Sequence, residues 1–272
     1  MISKRIKKVL ALALTGAMVL SFSGCSSEGG KDKAEVNSLE AIKERGKLIM
    51  GTSPDYPPFE FKDKNQDVVG SDVEIAKEIA EDLGVELEIN EAQFDSLIPV
   101  LQSGKTDIIM AGMNETPDRK KEVDFSDIYY TGEAVLVINK KDVDKFKSLD
   151  NLKGKTVGAQ LGSIPESIAR KELKESEVIS IGTVSDLVLQ LKGNKMNAVI
   201  MDDIVAESYV KNNSDLTIIN GIVLKGEEAG FAVATQKGQK DLMREINKTL
   251  KRLKDEGKLE KFLEEAMELN NK

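Results

Sequence analysis

The chain has 272 residues, of which 40% are hydrophobic and 32% charged, an ordinary globular composition with room for one large domain or two modest lobes. Its formal net charge of −8 argues against a nucleic-acid partner, which needs Lys and Arg in clustered excess. With no His and one Cys, the chain lacks the usual neutral-pH base, the commonest metal ligand, any internal disulfide and any CxxC zinc site, so no metal or cofactor is expected.

Residues 1–24 read as a signal peptide. Lys4, Arg5, Lys7 and Lys8 form a basic start, and residues 9–20 are an apolar run too short to span a bilayer comfortably. Phe22-Ser23-Gly24-Cys25 then resembles a lipobox, which makes Cys25 the expected lipid-attachment site. Lipoproteins usually carry an aliphatic residue where Phe22 stands. Residues 25–36 are small, polar and charged, as a flexible tether would be. Removing residues 1–24 takes away four basic and no acidic side chains, moving the formal charge from −8 to −12. The folded part is therefore expected to be exported, acidic and anchored by lipid to the outer face of the cytoplasmic membrane.

From Leu39 onward short apolar strands alternate with amphipathic helices, the pattern of an α/β fold with largely parallel sheet. Strands are predicted over 47–52, 86–90, 107–111, 134–139, 156–159, 198–201 and 231–235. Helices are predicted over 72–83, 96–102, 164–173, 185–192, 203–210, 240–255 and 259–268. Ser71-Asp72 offers a cap to the first helix and Gly84 a stop. Asp63, Asn65, Asp67 and Glu74 imitate a calcium loop, but Val68 stands where the sharp turn needs Gly, so a hairpin feeding a helix is expected there. The charged run 240–261 reads as a solvated helix face.

Residues 101–109 and 191–199 match at a constant offset of 90, and Gly46-Lys47 echoes Gly154-Lys155 more weakly. Together they predict two lobes of similar topology: 37–132 plus 228–272, and 133–227. The crossings near 130–135 and 223–231 would form the hinge.

Three strings carry a resemblance: Gly51-Thr-Ser53-Pro-Asp55-Tyr56-Pro-Pro-Phe59-Glu-Phe61, Phe94-Asp-Ser-Leu-Ile-Pro99, and Gly112-Met-Asn114-Glu-Thr-Pro-Asp-Arg119. With the strings between and after them, in order from residue 39 to 269, they are similar to the extracellular solute-binding proteins of amino-acid ABC transporters, family 3. That resemblance implies a bilobal, type II periplasmic-binding-protein-like fold without enzymatic activity. Hinge closure would bury a free polar amino acid and deliver it to a permease, with the protein acting as a monomer.

Physical chemistry assigns the roles. A dried zwitterion needs both charges paired. Arg119 offers a two-donor fork for the carboxylate, and Asp202, at the end of the strand 198–201, a partner for the ammonium. Gly112 admits close backbone approach, and Asn114 stands where the family commonly has Ser or Thr. The backbone N–H groups of Gly162-Ser163 open a helix and suit a carboxylate, and Gln160 sits where relatives vary with substrate. Tyr56 and Phe94 resemble an aromatic pair that holds the ligand side chain. Relatives that bind lysine or arginine often have Asp at the position of Ser53, so a neutral ligand is placed modestly ahead of a basic one, with Asp55 and Glu115 as alternative sources of negative charge. The rival classes are an enzyme on the same fold, a dehydratase or cell-wall lyase in which Glu115 would be the acid, and an amino-acid sensor subunit working with a separate partner.

Overall fold

The structure is a computed structural model that describes residues 38–271 apart from 220, 223 and 225–229. The expected signal peptide, Cys25 and the expected tether lie outside the described residues, as does most of the expected second crossing. Helix α1 (Leu39–Arg45) leads into β1 (Lys47–Thr52), and a small sheet of β2 (Asp55–Tyr56), β3 (Glu60–Lys62) and β4 (Val68–Val69) precedes α2 (Ser71–Leu83). Then come β5 (Glu86–Glu91), α3 (Leu97–Gln102), β6 (Ile108–Ile109), α4 (Arg119–Glu122), β7 (Val123–Phe125) and β8 (Ala134–Asn139). The chain continues through β9 (Thr156–Gln160), α5 (Ile164–Glu172), β10 (Glu177–Ile181), α6 (Val184–Lys192), β11 (Ala198–Asp202), α7 (Asp203–Asn212) and β12 (Leu216–Ile218). It ends with β13 (Ala234–Gln236), α8 (Lys240–Asp255) and α9 (Lys258–Asn270). Among the described residues no helix is long and apolar enough to cross a membrane.

Two five-stranded sheets result, ordered β5-β1-β6-β13-β7 and β10-β9-β11-β8-β12. In each, four strands run one way and one runs against them: β13 opposes β6 and β7, and β8 opposes β11 and β12. These are the strands next to the two crossings. Ala134 bridges Leu224 and Tyr130 bridges Phe231, both in antiparallel fashion.

Burial explains the helices. Val73, Ala76, Ile79, Ala80 and Leu83 give α2 one apolar face, which packs with Leu242, Ile246, Leu250 and Leu253 of α8 over the first sheet. Strand β8 is buried along its whole length because helices cover both sides of the second sheet. Leu136 and Ile138 pack in one cluster with Ile168 of α5, and Val135 and Val137 in another with Leu187 of α6 and Val205 of α7.

The 90-residue repeat has a physical basis. Asp107 accepts from the Ile49 N–H at 2.7 Å and donates its own N–H to the Ile49 carbonyl at 2.8 Å. Asn197 clasps Thr156 in the same two-way manner at 3.1 and 2.8 Å. This equates Ile49 with Thr156, so the weaker echo of Gly46 with Gly154 is one residue out of register.

Several expectations need correction. Only Ile108–Ile109 of 107–111 and Ala234–Gln236 near 231–235 pair as strands, and strands β2, β3, β4, β7, β10 and β12 and helices α1 and α4 lie outside the predicted set. Helix α2 begins at Ser71 without a side-chain cap, because Asp72 turns inward to the Gly112 N–H and the Tyr129 hydroxyl. The segment 63–67 does form a hairpin turn, with the Asp63 carboxylate accepting from the N–H groups of Asn65 and Asp67 at 2.8 and 3.0 Å.

Candidate functional site

The C-terminal ends of the parallel strands meet in one narrow cleft, where open α/β sheets place ligands. From the first sheet's side come Tyr56 on β2, Phe94 in the turn before α3, Gly112 after β6, and Asn114. From the second come Gln160 at the end of β9, Ser163 at the cap of α5, Pro165, and Asp202 at the end of β11. Wider grooves around Lys77 and Leu87, and around Lys120 and Lys237, involve only the first sheet's side.

Gly112 has φ 53°, and a Cβ there would stand 3.1 Å from the Tyr56 ring and 3.3 Å from Phe231. Glycine is required both by the left-handed backbone and by the close approach. Asp72, behind it, fixes the Gly112 N–H at 3.1 Å and accepts from Tyr129 at 2.8 Å. Burial pushes the Asp72 carboxyl up to about 6. It pushes the fully buried Glu60 well above the usual carboxylate range, with the neighbouring Asp72 adding to the effect.

Asp202 lines this cleft, and Arg119 adjoins it from outside the lining; among the described residues neither charge has an ionic partner. The partly buried Arg119 donates Nη1 to the Asn114 carbonyl at 2.7 Å and Nη2 to the Gly162 carbonyl at 2.9 Å, joining the two sides of the cleft. Its Cζ lies 5.3 Å from the centre of the Phe94 ring. Loss of water lowers its pKa to about 10, and no carboxylate among the described residues offsets that loss. Asp202, 7% exposed, accepts from the Tyr56 hydroxyl. Burial raises it to about 6 against the lowering effect of the Tyr56 hydrogen bond, with the adjacent Asp203 adding a smaller rise. Its side chain does not cap α7, although Asp202 stands at the cap position.

Other expected residues are placed differently. The Ser53 hydroxyl donates to Asp55 at 3.1 Å, and Ser53 is not in the cleft lining. The Gly162 and Ser163 N–H groups are not free: they donate to the Glu166 carboxylate at 2.7 Å and to the Gln160 carbonyl at 3.2 Å. Ser163-Ile-Pro-Glu166 is the S-x-x-E signature of a helix start, and that signal in the sequence foretells the diversion. The Ser163 hydroxyl donates to the Gln160 carbonyl at 2.7 Å and accepts from the Glu166 N–H at 3.1 Å. Gln160 donates to the Gly182 carbonyl at 3.4 Å. Glu115 is paired with Lys120 at 2.7 Å, and Asp55 is engaged by the Val184 N–H. Neither acid lines the cleft.

Comparison with known proteins gives a consistent result. Residues 48–268 match the bacterial extracellular solute-binding proteins, family 3. The arginine-binding extracellular protein ArtP of Bacillus subtilis is 42% identical over 263 residues, covering 94% of this chain and 96% of that protein. The amino acid ABC transporter substrate-binding protein AbpA of Streptococcus pneumoniae, solved with L-arginine, is 38% identical with a TM-score of 0.83, covering 86% of this chain and 99% of that one. An ancestral arginine-binding protein solved with glutamine is 40% identical with a TM-score of 0.75, covering 81% and 97%.

Proposed function

The chain belongs to the bacterial extracellular solute-binding proteins of family 3, and from that membership we propose that it captures L-arginine for an ABC importer, as an exported monomer that catalyses no reaction. One observation carries the site: Asp202 lines the cleft from one side and Arg119 reaches beside it from the other, each desolvated without an ionic partner among the described residues. A free amino acid supplies both missing charges at once. Its carboxylate replaces carbonyl oxygens on the Arg119 fork, and its ammonium takes the Asp202 carboxylate from the Tyr56 hydroxyl. Tyr56 and Phe94 hold the side chain, with Gln160, Asn114 and Ser163 offering polar contacts and Gly112 the close floor.

Closure follows from the two adjacent crossings. The lobes are 37–132 plus 228–272, and 133–227, and rotation occurs between them about residues 130–135 and 223–231. The lipid at Cys25 holds the protein beside its permease.

The preference for a neutral ligand loses its footing. It rested in part on Ser53 standing where an Asp would be, and Ser53, whose hydroxyl donates to Asp55, is not among the residues lining the cleft. The relatives named for arginine favour a cationic ligand. Glutamine is the second reading, supported by the glutamine-bound ancestral arginine binder.

The test is a thermal-shift screen of the twenty amino acids plus cystine and ornithine, with mass spectrometry of any ligand released on denaturing the purified protein. Arginine should stabilise most. Stabilisation by leucine or valine alone, or release of a sugar or peptide, overturns the reading.

A further inference from the structure

Asp55 lies outside the cleft and is clasped by the opposite side of the molecule. It sits on β2, whose small sheet packs against α2 and so belongs with the first sheet. Its carboxylate accepts from the Val184 N–H at the start of α6, and from Ser53 at 3.1 Å. Its carbonyl accepts from the Tyr209 hydroxyl of α7 at 2.7 Å. Both α6 and α7 cover the second sheet. The first turn of α6 is shared out: the Thr183 hydroxyl accepts from the Asp186 N–H at 3.3 Å, and the Val184 N–H goes to Asp55. Beside this polar contact, Tyr56 and Phe59 share an apolar cluster with Val184 and Leu187.

We propose that Asp55 is a positioning residue that clasps α6 and α7 when the cleft is shut, and that this clasp sets how long any bound amino acid is held. The inference rests on the closure reading above. Opening separates the two sheets, so Asp55 must leave both helices while the Val184 N–H and the Tyr209 hydroxyl go to water. The contact therefore exists only in the shut form and favours it. A helix N-terminus also welcomes a carboxylate, which gives α6 a reason to prefer Asp55 over solvent. Since Asp55 does not line the cleft, its contribution is the same for every ligand. Apparent affinity scales with the population of the binding-competent shut state.

The test compares Asp55→Ala, Asp55→Asn and Tyr209→Phe with wild type by calorimetry and stopped-flow, with L-arginine and L-glutamine as probes. Small-angle scattering of the unliganded proteins reports their compactness. Asp55→Ala should weaken both amino acids at least about tenfold through faster dissociation, leave their ratio unchanged and expand the unliganded protein. Asp55→Asn keeps a carbonyl oxygen for the Val184 N–H and should recover most of the loss. Tyr209→Phe should show part of it, and it decides the matter if Asp55→Ala does not fold. Affinity within twofold of wild type for both amino acids overturns the clasp. So does a loss confined to arginine, which would make Asp55 a side-chain counter-ion. A wild type that binds neither amino acid counts against the ligand reading. Scattering then decides the clasp, and an Asp55→Ala protein as compact as wild type overturns it.

Discussion

A carboxyl group that burial holds near pH 6 gives up its proton when a cation arrives beside it. Asp202 is such a group, so binding an ammonium at pH 6 should release a proton. Affinity should then fall as pH drops below about 6, because the ligand must displace that proton first. Calorimetry in buffers of different ionisation enthalpy reads the release directly. Asp202→Asn should abolish it, and an unchanged proton count would remove Asp202 from the site. Arg119→Lys replaces a fork with a point charge, and Asp202→Asn leaves the ammonium unpaired. Each should cost roughly 2–5 kcal/mol of binding, about 30-fold or more, with far-ultraviolet circular dichroism unchanged. A local string singles out Arg119 in the sequence, and a strand end singles out Asp202. The inward turn of Asp72 and the clasp of Asp55 were not legible there. Their partners lie 40 and 129 residues away, and only the folded chain brings them together.

At the scale of elements, apolar packing and surface charge can be weighed against each other on one helix pair. Ile79 of α2 is fully buried against α8. Arg252 of α8 meets Glu78 and Asp82 of α2 at 2.8 and 2.9 Å, with its side chain 32% exposed. Ile79→Ala removes burial and leaves a cavity, which costs about 2–5 kcal/mol. Arg252→Ala removes partly screened ion pairs and should cost about 1 kcal/mol or less. Urea unfolding monitored by circular dichroism should show the first loss clearly larger. An equal or reversed order would mean that charge, not packing, fixes α8. The same physics decided which elements the sequence disclosed. The unbroken apolar run of β8 and the one-sided apolar spacing of α2 stand out. Strand β10 is partly exposed, with no alternation, and β12 has three residues, so neither left a period to read.

At the scale of the whole molecule, the repeated two-way clasps of Asp107 and Asn197 show that each sheet is organised alike, with one opposing strand beside the crossings. The 90-residue echo carries that duplication in the sequence itself. The contacts between the sides stayed hidden in the sequence: Tyr56 with Asp202, Arg119 with the Gly162 carbonyl, and Asp55 with α6. All of them arise from residues far apart in the chain that meet across the cleft. In the account proposed here, function rests on that meeting, since neither side alone can pair both ends of a zwitterion. The most direct test leaves the protein unaltered and changes the ligand. L-arginine, agmatine (which lacks the carboxylate) and N-α-acetyl-arginine (which lacks the ammonium) are titrated in turn into the purified protein by calorimetry. The account predicts saturable one-to-one binding of L-arginine and no measurable binding of the other two. Agmatine or acetyl-arginine binding within a few-fold of L-arginine would contradict it.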